Sequence, residues 1–174
     1  MEIYHNDFEI TFTNEADAES AKIIATNAIN AMSVPGYAYN ATEEFANSLC
    51  VEGNVLANEE YSFTSDDLLN VAVATIKAIA GSMKTASFSF KAGSADTYAE
   101  SWAEGCFENG ILTITSAYYP EGYSEFLTCP ECGEAVERMD DYDPSKTYIC
   151  PECGEEVDLS EQAPVITKET FEIK

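Results

Sequence analysis

Two matched segments lie near the end of the chain, Cys129-Pro130-Glu131-Cys132-Gly133-Glu134 and Cys150-Pro151-Glu152-Cys153-Gly154-Glu155. Seventeen residues separate Cys132 from Cys150. Two Cys-x-x-Cys pairs at this separation match the ligand spacing of a tetrahedral four-thiolate metal site. Two intervening residues let a tight turn aim both sulfurs at one ion. Pro130 and Pro151 pre-set φ in that turn, and Gly133 and Gly154 permit the left-handed backbone that follows the second ligand. Backbone amides in such a turn can donate to the sulfurs and moderate their charge. The expected metal ligands are therefore Cys129, Cys132, Cys150 and Cys153. With all four positions supplied by protein, the ion is expected to be structural.

Size explains why a metal is needed. The 174 residues suffice for a medium domain, expected over 1–120, and a smaller part over 121–174 that holds the ribbon and a C-terminal strand. Pro120-Glu121-Gly122 marks the boundary. A part this small needs a metal or disulfides to keep its shape.

The paired C-P-x-C-G segments resemble the knuckles of zinc ribbons and of rubredoxins, in which iron fills the same four-sulfur cage. The resemblance covers residues 123–160 and implies a small metal-held ribbon, while leaving its role open. Zinc is the expected ion and iron the alternative, because an electron-transfer iron centre implies an aromatic-packed shell and the segment from Glu137 to Tyr148 reads as polar. Nucleic-acid-binding ribbons carry basic fingers. Residues 129–157 instead hold nine acids and two cations.

Charge narrows the function further. Thirty-two acids against eight Lys and Arg give a formal net charge of −24. The cations stand singly, with one arginine, Arg138, available for bidentate contacts. Nucleic-acid and anionic-membrane binding need clustered cations, so both are disfavoured. An apolar content of 45% places the chain among folded proteins despite its charge. The first residues lack the basic start and apolar run of a signal peptide, and no apolar stretch is long enough to span a bilayer. A reducing cytoplasm is the expected setting, where clustered cysteines hold metal more often than they form disulfides.

Alternation in Phe8–Thr13 predicts a strand. Asn14 then offers an N-cap, with Glu15 and Asp17 in the first turn of a helix whose face is Ala18, Ala21, Ala25, Ala28, Ile29 and Met32. Pro35-Gly36 stops it, and a short helix is expected from Thr42, its cap, to Leu49. Tyr61-Ser62-Phe63 and the cap Ser65 repeat the strand-to-helix joint, leading into a helix lined by Leu68, Val71, Ala72, Ile76 and Ile79. Ala86–Lys91 alternates again. Asn109-Gly110, between Cys106-Phe107-Glu108 and Ile111–Thr115, supplies the positive φ angles of a two-residue hairpin turn. The expected fold class is α+β, an antiparallel sheet with helices on one face, followed by the small C-terminal zinc ribbon. The order of its elements resembles a ferredoxin-like sandwich.

Other candidate chemistry is sparse. His5 is the sole histidine and has no cysteine near it in sequence. Cys50, at a helix end, and Cys106, in a strand, are expected to be small core residues. Asp140-Asp141-Tyr142-Asp143 lacks the spacing of an EF-hand loop and reads as a connector. Tyr118, Tyr119, Tyr123 and Phe126 are expected to pack the ribbon against the larger domain. No Walker loop, dinucleotide fingerprint or Gly-x-Ser-x-Gly is present. A non-catalytic protein-interaction or regulatory module is thus expected, with another protein as partner; the acidity reads first as solubility and self-repulsion, and alternatively as a face that meets a basic partner. A DNA mimic that blocks a basic cleft and a nucleic-acid-binding ribbon are the alternatives.

Overall fold

The computed structural model describes residues 8–32, 41–59, 66–93, 101–118 and 125–174. Seven antiparallel strands form the main sheet: β1 (Phe8–Phe12), β2 (Leu49–Glu52), β3 (Val55–Asn58), β4 (Phe88–Gly93), β5 (Trp102–Glu108), β6 (Ile111–Tyr118) and β11 (Val165–Glu172). Their spatial order is β11-β6-β5-β4-β1-β3-β2. Helices α1 (Glu15–Asn30), α2 (Ala41–Ser48) and α3 (Asp66–Ser82) supply the apolar side chains that meet it. The chain is thus a mixed α and β protein with an antiparallel sheet, as its alternation and caps imply.

Strand parity creates the core. Phe8, Ile10 and Phe12 of β1 are buried, and their register partners Phe90 and Phe88 on β4 and Leu56 on β3 share that face. Ala18, Ala21, Ala25 and Ile29 of α1 and Leu69, Ala72, Ile76 and Ile79 of α3 close over them. The small residues of α1 let it approach α3 closely. Rings of Phe12, Phe88 and Phe107 form a run with centroids 5.2 and 5.3 Å apart, and Phe8 meets Phe45 of α2 edge-on at 5.3 Å. Each such ring contributes about 1.5–3 kcal/mol by burial. Asn14 caps α1 as expected: its Oδ1 accepts from the Asp17 N–H at 2.9 Å, and its Nδ2 donates back to the Asp17 carboxylate at 2.8 Å.

Several elements differ from the sequence expectation. Leu49 does not end in a helix but opens β2, and β2 and β3 form a hairpin around Gly53-Asn54. Asn54 seats this hairpin on β1: its carbonyl accepts from the Phe12 N–H at 2.9 Å, and its Nδ2 donates to the Phe12 carbonyl at 2.6 Å. The buried Asn58 receives the Phe8 N–H at 2.8 Å. Helix α2 begins at Ala41, so Thr42 lies inside it. His5, the Pro35-Gly36 stop, the Tyr61-Ser62-Phe63 strand, the Ser65 cap, Tyr119 and Tyr123 fall outside the described residues. Asn109 (φ 52°) and Gly110 (φ 76°) make the expected turn between β5 and β6.

The last strand has a different place from the rest of 121–174. β11 runs the whole length of β6, from Val165 opposite Tyr118 to Glu172 opposite Ile111, so the chain returns to the main sheet after the cysteine-bearing segment. Tyr118 packs on the main core. Its hydroxyl meets Asn70 Oδ1 of α3 at 3.0 Å. Among the described residues no helix is long and apolar enough to cross a membrane.

Candidate metal centre

Two short hairpin-like units bring the cysteines together. β7 (Phe126–Thr128) pairs with β8 (Ala135–Arg138) around Cys129–Gly133, and β9 (Tyr148–Ile149) pairs with β10 (Glu156–Val157) around Cys150–Gly154. The two turns are nearly superposable in their bonding. Gly133 N–H donates to the Cys129 carbonyl at 2.8 Å and Cys129 N–H to the Glu134 carbonyl at 2.8 Å. The counterparts, Gly154 to Cys150 and Cys150 to Glu155, are both 2.9 Å. Gly133 (φ 77°) and Gly154 (φ 74°) take the left-handed conformation. A Cβ at either would meet nothing within 4 Å, so backbone conformation, not space, selects glycine there.

The four sulfurs of Cys129, Cys132, Cys150 and Cys153 all lie within 4.8 Å of one another. Cys129 and Cys153 are 3.8 Å apart, and Cys132 and Cys150 are 3.5 Å apart. A disulfide would require about 2.05 Å. Metal–sulfur bonds of about 2.3 Å in a tetrahedron give edges of about 3.8 Å. The sulfurs are therefore spaced like the corners of a coordination shell, and the donor set fits a soft or borderline divalent ion. Cys129 and Cys150 are buried, whereas Cys132 and Cys153 are exposed. Among the described residues this is the cluster of such donors close enough to hold an ion.

Backbone amides tune the sulfurs. The amides of Cys153 and Glu152 are aimed at Cys150 and hold its thiol down at about 7. At Cys132 the Glu134 amide pulls the same way, but the neighbouring sulfurs, Cys150 foremost, outweigh it and push the thiol up to about 12. Cys153 is likewise raised: the Glu155 amide is outweighed by the Cys150 and Cys129 sulfurs and by burial. Crowded thiols cannot all ionise alone. A divalent ion bound by the four sulfurs would remove that conflict by taking the place of the protons.

The segment between the turns is less polar than its sequence suggests. Met139 and Tyr148 are buried with Leu127, Val157 and Leu159, and Tyr142 stacks on Tyr148 with centroids 5.7 Å apart and planes at 17°. Aromatic packing therefore does not separate zinc from iron here. Asp143 serves this turn: its Oδ1 accepts from the Ser145 N–H at 2.9 Å and from the Ser145 hydroxyl at 2.7 Å, which lowers its pKa. Glu125 pairs with Arg138 at 3.0 Å across the first unit.

Compared with known protein families, curated proteins and solved structures, the chain matches none of them.

The other two cysteines do not join the core. Cys50 pairs with Ala57, and Cys106 pairs with Ser89 and Thr113, in rows that face away from the helices. Both are partly exposed, a correction that follows from strand parity. Burial and the nearby Glu59 carboxylate raise the Cys50 thiol, which makes it a weak nucleophile. Cys106 lies in a shallow depression of about 340 Å³ on that open face, with Glu9, Lys91, Glu104 and Thr115 around it and no histidine lining it. The β2–β3 hairpin that carries Cys50 was announced by Gly53-Asn54, a two-residue hairpin signal.

Proposed function

We propose that this protein is a non-catalytic interaction or regulatory module, built as an α+β domain with an inserted zinc ribbon. The observation that carries this reading is the gathering of four cysteine sulfurs within 4.8 Å, which leaves no coordination position for substrate or water. Zinc is the proposed ion because a thiolate site binds it more tightly than ferrous iron. Its role is to supply stability to a unit with a small apolar core, at about 10–16 kcal/mol of apparent binding energy. Two matched knuckles on short strand pairs support the ribbon type. A ferredoxin-like frame is supported by β4-β1-β3-β2, all antiparallel, interleaved with helices as β1-α1-α2-β2-β3-α3-β4.

The partner is proposed to be a basic protein, since a chain of net charge −24 is drawn to positive surfaces and repelled by nucleic acid. The test is affinity capture from host extract with the native chain and with Cys132→Ser/Cys153→Ser. A reproducible protein partner that is lost with the variant supports the reading. Recovery of no partner, together with turnover of a small molecule by the native chain, overturns it.

A further inference from the structure

Strand β11 forms one edge of the main sheet, and among the described residues only β6 lies beside it. The direction of its spare backbone groups follows from register. Asn109-Gly110 closes a two-residue turn, so Glu108 and Ile111 bond to each other, and Ile111, Thr113, Thr115 and Ala117 turn their backbone toward β5. Leu112, Ile114, Ser116 and Tyr118 then face β11, where they meet Phe171, Glu169, Thr167 and Val165. A bond of 2.8 Å from Ile173 N–H to the Gly110 carbonyl has the same parity. The N–H and C=O groups of Ile166, Lys168, Thr170 and Glu172 therefore point away from the sheet. All four residues are exposed, Ile166 at 65%. This edge carries no proline or bulge; its charges, Lys168, Glu169 and Glu172, are the device that limits strand addition, so only a register that pairs them with opposite charge is open to it.

Charge selects the occupant. Symmetric pairing of this edge with itself has four registers near the strand's middle; the one centred on Thr167 sets Ile166 opposite Lys168 and Val165 opposite Glu169, so it makes no opposite-charge pair. Centred on Lys168, it sets lysine against lysine, and centred on Glu169 it sets glutamate against glutamate. Centred on Thr170, it sets Thr170 opposite its own copy, Lys168 opposite Glu172 twice, Glu169 opposite Phe171 and Ile166 opposite Lys174. No like charges meet. Cations also gather at this location. Lys168 and Lys174 lie on or just beyond the strand, Lys77 sits 4.4 Å over the Phe171 ring, and Lys84 donates to the Lys174 carbonyl at 2.5 Å, which makes four of the chain's eight Lys and Arg.

We propose that β11 pairs antiparallel with β11 of a second copy of this chain, about a two-fold axis at Thr170, to join two sheets into one. Opposite-charge pairs stabilise such a register and like pairs oppose it.

Sedimentation equilibrium of the metal-loaded full chain reads the outcome. The native chain is expected to sediment as a dimer. Lys168→Glu and Glu172→Lys, each placing like charges opposite one another, weaken association about tenfold or more. The double exchange, Lys168→Glu with Glu172→Lys, restores it. Thr170→Pro removes only an outward N–H, so it abolishes dimerisation while the far-ultraviolet circular dichroism of the monomer is unchanged. A native chain that stays monomeric up to its solubility limit overturns the proposal. So does a Lys168→Glu chain that dimerises as well as native, or a double exchange no better than either single one.

Discussion

Gln162 holds Thr128 by both backbone groups: its Oε1 accepts from the Thr128 N–H at 2.9 Å, and its Nε2 donates to the Thr128 carbonyl at 2.8 Å. Thr128 directly precedes Cys129, so an amide side chain does the work of a neighbouring strand beside the first cysteine turn. Gln162→Ala leaves two backbone groups without these partners and costs about 1–3 kcal/mol. Competition with a chromogenic chelator is expected to show faster and more complete metal loss than in the native chain, while the main-sheet signal in circular dichroism holds.

Metal removal should act locally. The core around Leu127, Tyr148 and Leu159 is separate from the core beneath the helices. Hydrogen exchange with a strong chelator present is expected to lose protection across 125–163 and keep it in β1, β4 and β5. Equal loss in both regions would show that the sheet depends on the ion as well.

Gly105 is the most tightly enclosed of the described glycines. A Cβ there would lie 1.9 Å from the Thr113 carbonyl oxygen and 2.9 Å from the end of the Phe90 ring. Phe90 can tilt; the carbonyl belongs to the neighbouring strand's backbone and cannot yield cheaply. Gly105→Ala is expected to destabilise the chain by about 3 kcal/mol or more, read as a lower denaturant midpoint. A Gly53→Ala control, where a Cβ meets nothing within 4 Å, pays only for its left-handed backbone at φ 59°.

Asp143 carries a small pH dependence. Its carboxyl is lowered by the two bonds from Ser145, so the folded state binds its proton more weakly than the unfolded state. The resulting stabilisation is fully present above the ordinary carboxylate pKa and is lost as pH falls through the depressed folded value. Asp158, bonded by Ser160, follows the same sign. Carbon-detected NMR titration should find the Asp143 carboxyl below its usual range and moved upward in Ser145→Ala.

The parts of this protein that were legible in sequence are those where one residue type has one physical use. Asn14 with Asp17, Asn109-Gly110, and the two Cys-Pro-Glu-Cys-Gly turns each specify a local conformation almost alone. The β2–β3 hairpin was obscured because Leu49-Cys50-Val51-Glu52 continues the apolar spacing of α2, and only Gly53-Asn54 betrays the turn. Met139, Tyr142 and Tyr148 are scattered among acids, so their convergence under the cysteine turns becomes visible only once the two halves close on each other. Cys50 and Cys106 were misplaced for a related reason: residue type suggests burial, but strand parity decides the face.

The most direct test of the metal centre is native mass spectrometry of the freshly purified chain, before and after acid. The account predicts one zinc ion per chain, lost on acidification, with all six cysteines then alkylated as free thiols. A metal-free native mass, an iron adduct, or a mass two protons light from a disulfide among Cys129, Cys132, Cys150 and Cys153 would contradict it.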